Sequence, residues 1–278
     1  MSTIKTDNVN ESSLLNELTG SICTGWAGQP VCVYESIDST NAECTRLSLE
    51  GATHGTVVVA DMQTAGRGRR GRSWESPAGD NLYFSLLLKP EIAPEKAPML
   101  TLVMAVAVAW GIKQIAGQNA DIKWPNDLVM QDRKVCGILT EMRMEQTQID
   151  HVVIGVGINV RDRSFSEELK DKATSLEAAC GMEEPISRKE LLEAVLKAFE
   201  GLYDDFVAAG DLTTLQATYN SLLINLDREV TVLDPQGSYN GIARGITGTG
   251  ELMVELPDGT CKEVFAGEVS VRGIYGYV

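Results

Sequence analysis

The segment "MQTAGRGRRGRSWESP", residues 62–77, mixes glycine and arginine: Gly66, Arg67, Gly68, Arg69, Arg70, Gly71 and Arg72. Glycine reaches positive φ and lets backbone N–H groups approach an anion closely. Arginine adds forked, permanently charged donors that match the geometry of phosphate. Because a buried strand precedes the segment and Trp74 follows it, we interpret it as an anion-binding loop. The alternative is a solvated arginine–glycine tail or an RNA-binding segment. The pattern GxxxxGK[ST] is absent, which disfavours a P-loop.

The composition of the whole chain limits what that anion can be. The chain has 278 residues and a formal net charge of −15, whereas a protein that tracks nucleic-acid phosphates usually carries basic charge over a whole face. Its six cysteines are scattered without a CxxC pair, and only two histidines accompany them. This composition favours neither a disulfide framework nor a zinc site.

The sequence was also searched for segments that would direct the chain to a membrane or to secretion. The longest apolar run, residues 99–112, is too short and too interrupted to span a bilayer. No cationic, apolar signal segment opens the chain. We therefore expect a cytoplasmic enzyme with no membrane partner.

Hydrophobic patterning predicts an alternating α/β body followed by a small β tail. Strands are predicted at residues 31–37, 55–63, 81–90, 121–130, 134–144 and 149–160, with "QDR" (131–133) as a hairpin turn. Helices are predicted after Asp38, over 97–116 and between 187 and 220. After Asn225 short strands alternate with turn residues, which predicts a small barrel or partial barrel. The predicted domains are therefore 1–224 and 225–278.

Four short motifs outside the arginine loop carry polar groups, and each has an ordinary structural interpretation as well. "DSTN" (38–41) is a hydroxyl and amide cluster or merely a helix cap. "KWPNDL" (123–128) could hold a nucleotide and a magnesium ion, or be a hairpin with surface charges. "RKVCGIL" (133–139) places Lys134 at a strand start, where a lysine is usually just exposed. "GVGIN" (155–159) has two glycines among bulky residues, which marks a bulge or the close approach of a ligand.

The order of these motifs is more informative than any one of them. "DSTN", the arginine loop, "KWPNDL", "RKVCGIL", "GVGIN" and finally "AGEVSVR" (266–272) follow one another in a way that closely resembles the biotin protein ligases. The resemblance implies an α/β (α+β) fold. Its catalytic domain has a mixed sheet like that of the class II synthetases, and a small SH3-like β-barrel domain follows it.

The resemblance also implies an ATP-dependent reaction in two steps. The carboxylate of biotin attacks the α-phosphorus of ATP and gives biotinyl-5′-AMP and pyrophosphate. The adenylate then acylates a lysine of a biotin carboxyl carrier protein, a subunit of acetyl-CoA carboxylase or a related carboxylase. ATP and Mg²⁺ are the implied cofactors, and biotin is the implied substrate.

Matching motifs assign the family's roles to residues of this chain. The resemblance implies catalytic roles for Lys134, Arg69 and Arg67. It implies biotin-binding roles for Ser39, Thr40, Asn41, Gln63, Gly66, Arg67, Gly68, Arg69, Lys134, Gly137, Gly155 and Gly157. It implies nucleotide-binding roles for Arg69, Arg72, Trp74, Lys123, Asn126 and Asn159. Asp127 is the implied metal ligand. Trp74 is expected to stack on the adenine, with a core tryptophan as the alternative.

Three other interpretations stay open at this point. A lipoate-protein ligase performs the same adenylation, although it lacks the "GRGRRGRxW" run. A nucleic-acid-binding regulator would use the arginine loop as its contact, and a binding module would hold biotin without catalysis. Too few residues precede "IDSTN" for a winged helix, so we expect a form without the N-terminal DNA-binding domain, without repressor activity and with no DNA partner. Family members include monomers and dimers, and a homodimer is compatible with the sequence.

Overall fold

The computed structural model describes residue 18 and residues 22–161, 165–182, 184–234, 237–266 and 270–273. Three residues of the "AGEVSVR" motif, 267–269, lie outside the described residues. The statements below concern this part of the chain.

A seven-stranded mixed sheet forms the centre of the larger domain, in the order β1-β2-β3-β7-β6-β5-β4. Strands β1 and β2 are parallel and the remaining neighbours are antiparallel. The strands are β1 (Val31–Ile37), β2 (Val57–Gln63), β3 (Asn81–Leu88), β4 (Asp121–Lys123), β5 (Asp127–Met130), β6 (Arg133–Glu145) and β7 (Gln148–Asn159). The helices of the chain are α1 (Thr40–Leu49), α2 (Met99–Ala116), α3 (Leu176–Cys180), α4 (Arg188–Ala209) and α5 (Gln216–Leu222).

The two faces of the sheet differ in side-chain volume. On one face the registered positions are bulky and apolar, as in the row Val57, Leu86 and Ile154, and helices α2 and α4 pack together over this face. On the opposite face the neighbouring row is Val58, Ser85 and Gly155, and α1 covers only part of it. Burial of the first face supplies the core, while the second face leaves room for a pocket.

Helix α2 is apolar around most of its circumference and is a core helix. By length and composition alone the segment Pro94–Ala116 could cross a membrane, but 72% of its apolar window is buried inside the structure. A Cβ placed on Gly111 would lie 2.5 Å from Cγ2 of Val195 in α4. The glycine therefore lets the two helices approach closely, which a side chain would prevent.

The turns between the strands agree with the sequence in one place and differ in another. The predicted "QDR" turn is confirmed, with Gln131 at φ 51° and Asp132 at φ 59°, the left-handed conformation that a two-residue hairpin requires. The segment 121–130, predicted as one strand, is two strands. Pro125 lacks the N–H that a sheet ladder needs, so the chain reverses there between β4 and β5.

A second sheet, antiparallel and five-stranded, follows in the order β11-β10-β9-β8-β12. Its strands are β8 (Glu229–Leu233), β9 (Tyr239–Ile246), β10 (Leu252–Glu255), β11 (Cys261–Val264) and β12 (Ser270–Gly273). The mixed α/β fold with a small C-terminal β domain is thereby confirmed. The predicted boundary between residues 224 and 225 falls between α5 and β8.

Candidate active site

One pocket opens on the glycine-containing face of the large sheet. It collects side chains from α1, the loop after β2, the β4–β5 turn and strands β6 and β7. The lining residues are Ser39, Thr40, Asn41, Gln63, Arg67, Gly68, Arg69, Trp74, Asn126, Lys134, Gly137, Ile138, Leu139, Gly155, Val156 and Gly157. Most of the residues predicted to bind biotin therefore surround the same space as the predicted catalytic residues.

Two glycines form the floor of this pocket. Gly137 and Gly157 are register partners in β6 and β7, and the indole of Trp74 lies against both. A Cβ would lie 2.8 Å from Cζ3 of Trp74 if placed on Gly137, and 2.6 Å from Cε2 if placed on Gly157. The glycines are thus needed for a flat ring to lie on the sheet. Within the described residues, the buried indole N–H of Trp74 has no hydrogen-bond partner, so it is an available donor beside the pocket.

The first turn of α1 supplies the polar side of the pocket, and Ser39, Thr40 and Asn41 are all buried. The side-chain oxygen of Asn41 accepts from the Ser85 hydroxyl at 2.6 Å. Its amide nitrogen donates to Glu141 at 2.7 Å and to the Leu139 carbonyl at 3.3 Å. A Cβ on Gly155 would lie only 2.0 Å from Oδ1 of Asn41. Gly155 therefore makes room for Asn41, a protein side chain, and the amide orientation is fixed.

A hydrogen-bond network continues from Asn41 to the arginine loop. Thr40 donates from its backbone N–H and its hydroxyl to Oε1 of Gln63 at 2.9 and 3.1 Å. The Gln63 amide donates to the Ser76 hydroxyl at 2.9 Å, and that hydroxyl donates to the Trp74 carbonyl at 3.1 Å. The Ser85 hydroxyl also lies 2.8 Å from the Thr40 hydroxyl. The pocket wall and the end of the loop are therefore held by one network.

Two arginines of the loop reach the pocket. Arg67 lies 3.4 Å from Glu141. Arg69 donates to the Asn126 side chain at 2.8 Å and to the backbone carbonyl of Ala266, beyond the last residue of β11. Burial lowers the pKa of the Arg69 guanidinium; the neighbouring Arg70 and Arg72 add to this, and Asp127 opposes it. A half-buried cation among like charges is a site that an anion would stabilise.

A β-bulge orients Lys134 toward the same space. In the β5–β6 ladder Leu128 pairs with Cys136 and Val129 with Lys134, so Val135 is an extra residue. In a regular strand Lys134 and Gly137 would face opposite sides, and the bulge places them on one face. The Lys134 ammonium lies 2.6 Å from Asp127 and 5.1 Å from the Trp74 ring centroid. Its charge is therefore held at the pocket by a carboxylate and an aromatic ring.

Five predicted residues do not line the pocket. Gly66 is buried beneath the loop, where a Cβ would lie 2.5 Å from the Trp74 carbonyl oxygen, so it shapes the loop. Arg72 is exposed on the outer side of the loop. Lys123 is buried at the end of β4, and Asn159 donates to the Thr174 carbonyl at 3.1 Å. Asp127 lies behind two lining residues, at 2.6 Å from Lys134 and 3.1 Å from Asn126.

A metal ion would find few protein ligands here. In the part of the chain that the structure describes, no group of three or more histidine, cysteine, aspartate or glutamate side chains is placed to hold one. Asp127 is engaged by Lys134, and Asn126 donates to it at 3.1 Å. Mg²⁺ is commonly held by one or two carboxylates together with substrate phosphates. The site therefore fits an ion that arrives with a nucleotide better than a resident one.

Sequence reasoning missed two residues of this site, Ser85 and Glu141. Ser85 is the one serine or threonine within the segment Leu82–Leu88 of β3, and Glu141 is a carboxylate within the long strand β6. A lone polar residue in a strand that is buried along its whole length was a usable signal, because such a group needs a partner.

Comparison with known proteins gives this pocket a family. Residues 33–159 match the model of the Biotin/lipoate A/B protein ligase family, and residues 226–272 match that of the Biotin protein ligase C terminal domain. The bifunctional ligase/repressor BirA of Bacillus subtilis (strain 168) is 38% identical over 92% of this chain and 78% of its own length. The biotin–[acetyl-CoA-carboxylase] ligase of Mycobacterium tuberculosis (strain H37Rv) is 31% identical over 94% of this chain and 95% of its own length. The chain belongs to the biotin protein ligase family.

Solved structures agree with this assignment. The biotin protein ligase from Aquifex aeolicus in complex with biotin and ATP has a TM-score of 0.76 and 33% identity, covering 88% of this chain and 99% of that one. Every residue that lines the pocket lies within the matched segment 33–159. The pocket of this biotin protein ligase is therefore formed by the part of the fold that the family shares.

Proposed function

We propose that this biotin protein ligase activates biotin with ATP and transfers it to a lysine of a biotin carboxyl carrier protein. In the first step a carboxylate oxygen of biotin bonds to the α-phosphorus, and the bond from that phosphorus to the bridging oxygen breaks, releasing pyrophosphate. In the second step the lysine amine attacks the biotinyl carbonyl. AMP leaves and the amine loses a proton to solvent.

The observation that carries the proposal is the convergence of three cationic side chains on one polar pocket. Arg67, Arg69 and Lys134 lie around the space that Ser39, Thr40 and Asn41 line from the other side. Bringing a carboxylate to a phosphate costs Coulomb repulsion, which fixed cations offset. Positive groups that are already in place as charge builds on the phosphate oxygens lower the barrier further.

Biotin is favoured over lipoate by the second domain. The model that matches residues 33–159 covers both biotin and lipoate ligases and so does not separate them. The C-terminal match, over residues 226–272, is to a domain that is named for biotin protein ligases. Relatives named for acetyl-CoA carboxylase, such as that of Mycobacterium tuberculosis, support a carboxylase subunit as the carrier partner.

We propose that Mg²⁺ binds with the nucleotide at the side of the pocket that holds Asn126 and Asp127. The ion would neutralise phosphate charge there. The protein's own contribution is to keep Lys134 directed at the pocket through the bulge.

Pyrophosphate exchange into ATP tests the first step. We expect exchange that requires biotin and that lipoate does not support, followed by transfer of label from biotin to a carrier domain. Exchange that proceeds equally with lipoate would support the lipoate ligase instead. Exchange without either acid would contradict the proposed reaction.

We also propose that the arginine loop does not serve as a DNA contact. Arg67 and Arg69 line the pocket, and Arg69 donates to the lining residue Asn126. The chain as a whole carries a net charge of −15, which repels a phosphate backbone. A gel-shift assay at physiological salt should therefore show no sequence-dependent binding. A complex that survives physiological salt and depends on DNA sequence would contradict this expectation.

A further inference from the structure

Glu141 touches the arginine loop and the pocket wall at once. Its Oε1 lies 3.4 Å from the Arg67 guanidinium, and its Oε2 accepts a hydrogen bond from the Asn41 amide at 2.7 Å. We propose that Glu141 is a positioning residue that couples closure of the arginine loop to the orientation of Asn41. The inference rests on the proposed function, because it assumes that Asn41 contacts biotin.

On the pocket side, Glu141 determines which way the Asn41 amide faces. Ser85 donates to the amide oxygen at 2.6 Å, and Gly155 lets the side chain lie flat on β7. The amide nitrogen then has Glu141 at 2.7 Å and the Leu139 carbonyl at 3.3 Å as its described acceptors. The carboxylate is the nearer and the charged one, so it supplies the stronger hydrogen bond.

On the loop side, Glu141 is the ion-pair partner of the exposed Arg67 guanidinium. Arg67 is flanked by Gly66 and Gly68, and its side chain is 50% exposed while that of Glu141 is 38% exposed. A pair this exposed is weak by itself. The pair matters because the same carboxylate contacts both Asn41 and Arg67. An ordered Asn41 amide therefore favours an ordered Arg67 side chain over the pocket, and the reverse.

Glu141 does not line the pocket and would not touch the reacting atoms. Through its two contacts, the position of the loop depends on how the Asn41 amide in the pocket wall is oriented. Biotin that engages Asn41 would rigidify Glu141, which would favour the closed position of Arg67 before the adenylate forms. The loop would then close preferentially over a pocket that holds biotin.

Two substitutions at this position separate the two contacts. Glu141→Gln keeps an oxygen for the Asn41 amide and removes the charge that Arg67 needs. Glu141→Ala removes both. Exposed Glu145, in the same strand, provides a matched control as Glu145→Gln. Arg67→Ala and the Arg67→Ala/Glu141→Gln double variant complete a thermodynamic cycle.

Biotin affinity by calorimetry and hydrogen exchange of the loop with biotin bound are the measurements. For Glu141→Ala we expect biotin affinity to fall on the order of tenfold to a hundredfold, the range for losing a hydrogen bond to a charged group. For Glu141→Gln we expect a change of about two- to fivefold, typical of an exposed ion pair. The glutamine variant should lose loop protection to the same extent as Arg67→Ala, and the double variant should lose no more.

The outcomes separate this inference from the proposed function. If the wild-type protein neither binds biotin nor catalyses biotin-dependent pyrophosphate exchange into ATP, the proposed function fails. If it does both, and Glu141→Gln retains the loop protection of the Glu145→Gln control, the coupling is refuted. Additive losses in the double variant would refute it as well. Should Glu141→Ala not fold, Glu141→Gln and the double-variant cycle still test whether Glu141 couples the loop to Asn41.

Discussion

Lys134 is the residue whose position bears most directly on the proposed chemistry. Its ammonium is held between Asp127 and the Trp74 ring on the pocket side of β6. Replacing it with alanine should slow adenylate formation by roughly 10²–10³-fold, the range for losing one preorganised group at a developing anion. Transfer from supplied biotinyl-adenylate should suffer less, because the amine then attacks the biotinyl carbonyl carbon and the phosphorus is no longer the atom under attack. Single-turnover rates of both half-reactions would measure this.

The same substitution should leave the fold largely intact. Asp127 keeps the Asn126 donor at 3.1 Å, so we expect Lys134→Ala to lower the free energy of unfolding by only about 1–2 kcal/mol. Lys134→Arg should restore activity in part, since a planar fork replaces a point charge. Lys170→Ala, at an exposed lysine that pairs with Glu167, is the matched control. Adenylation by Lys134→Ala at the control's rate would remove Lys134 from the mechanism.

Gly155 offers a sharper steric test of the pocket wall. A Cβ there would lie 2.0 Å from the Asn41 side chain, so Gly155→Ala must displace Asn41 or bend β7. We expect it to cost about 1–3 kcal/mol of stability, as overpacking does, and to abolish measurable biotin binding. Gly201→Ala, in α4 with nothing within 4 Å of the new methyl, is the control and should be neutral or slightly stabilising. Biotin binding by Gly155→Ala at the affinity of the control would contradict the arrangement described.

At the scale of elements, the arginine loop is held at its ends more than at its tip. Thr64 and Ala65 donate to the carbonyls of Ile37 and Asp38 at one end, and Trp74 donates to Gly66 at the other. Within the tip, Gly68 donates to Arg72 of the same loop, and Arg70 and Arg72 are exposed. Four like charges on a glycine-rich backbone repel one another. We expect amides of residues 67–73 to exchange quickly in the free protein and to become protected with biotin and ATP. Equal protection in both states would show that the loop does not close.

The elements also show how far the sequence alone could go. The strands around the loop, the hairpin turn at residues 131–133 and the positions of the polar motifs follow from hydrophobic period and turn residues. The bulge at Val135 does not, because it depends on which residues of β5 and β6 pair. Without it, strict alternation would have placed Lys134 and Gly137 on opposite faces.

Strand register explains the other differences as well. The sequence predicts that Gly155 faces the ligand, whereas the nearest side chain to it is that of Asn41, far away in sequence. Ser85 and Glu141 both reach the pocket residue Asn41 because β3, β7 and β6 lie side by side. Long-range pairing of this kind leaves no local signal in one sequence, apart from a polar residue where an apolar one would be expected.

At the scale of the whole molecule, the two domains are joined by specific hydrogen bonds. The Trp124 indole donates to the Gly250 carbonyl at 3.0 Å, and Ile246 donates its backbone N–H to the Asn220 side chain at 2.8 Å. Arg69 reaches Ala266 from the loop. The C-terminal sheet therefore forms one side of the site's surroundings, and its docking affects where Arg69 can lie.

Trp124 gives a direct test of this connection, since it is 3% exposed and sits in the turn that also carries Asn126. Trp124→Phe keeps an aromatic ring but removes the donor to Gly250. We expect it to lower the free energy of unfolding by about 1–3 kcal/mol, because a buried carbonyl is left without that partner. Hydrogen exchange should quicken in β9 and β10 more than in the large sheet, since the lost contact lies at the domain junction.

Trp110→Phe is the matched control, because Trp110 is 44% exposed on α2 and its replacement should change stability by less than about 0.5 kcal/mol. If both variants have the same free energy of unfolding, and β9 and β10 stay as protected from hydrogen exchange as in the wild type, the Trp124 hydrogen bond does not hold the domains together.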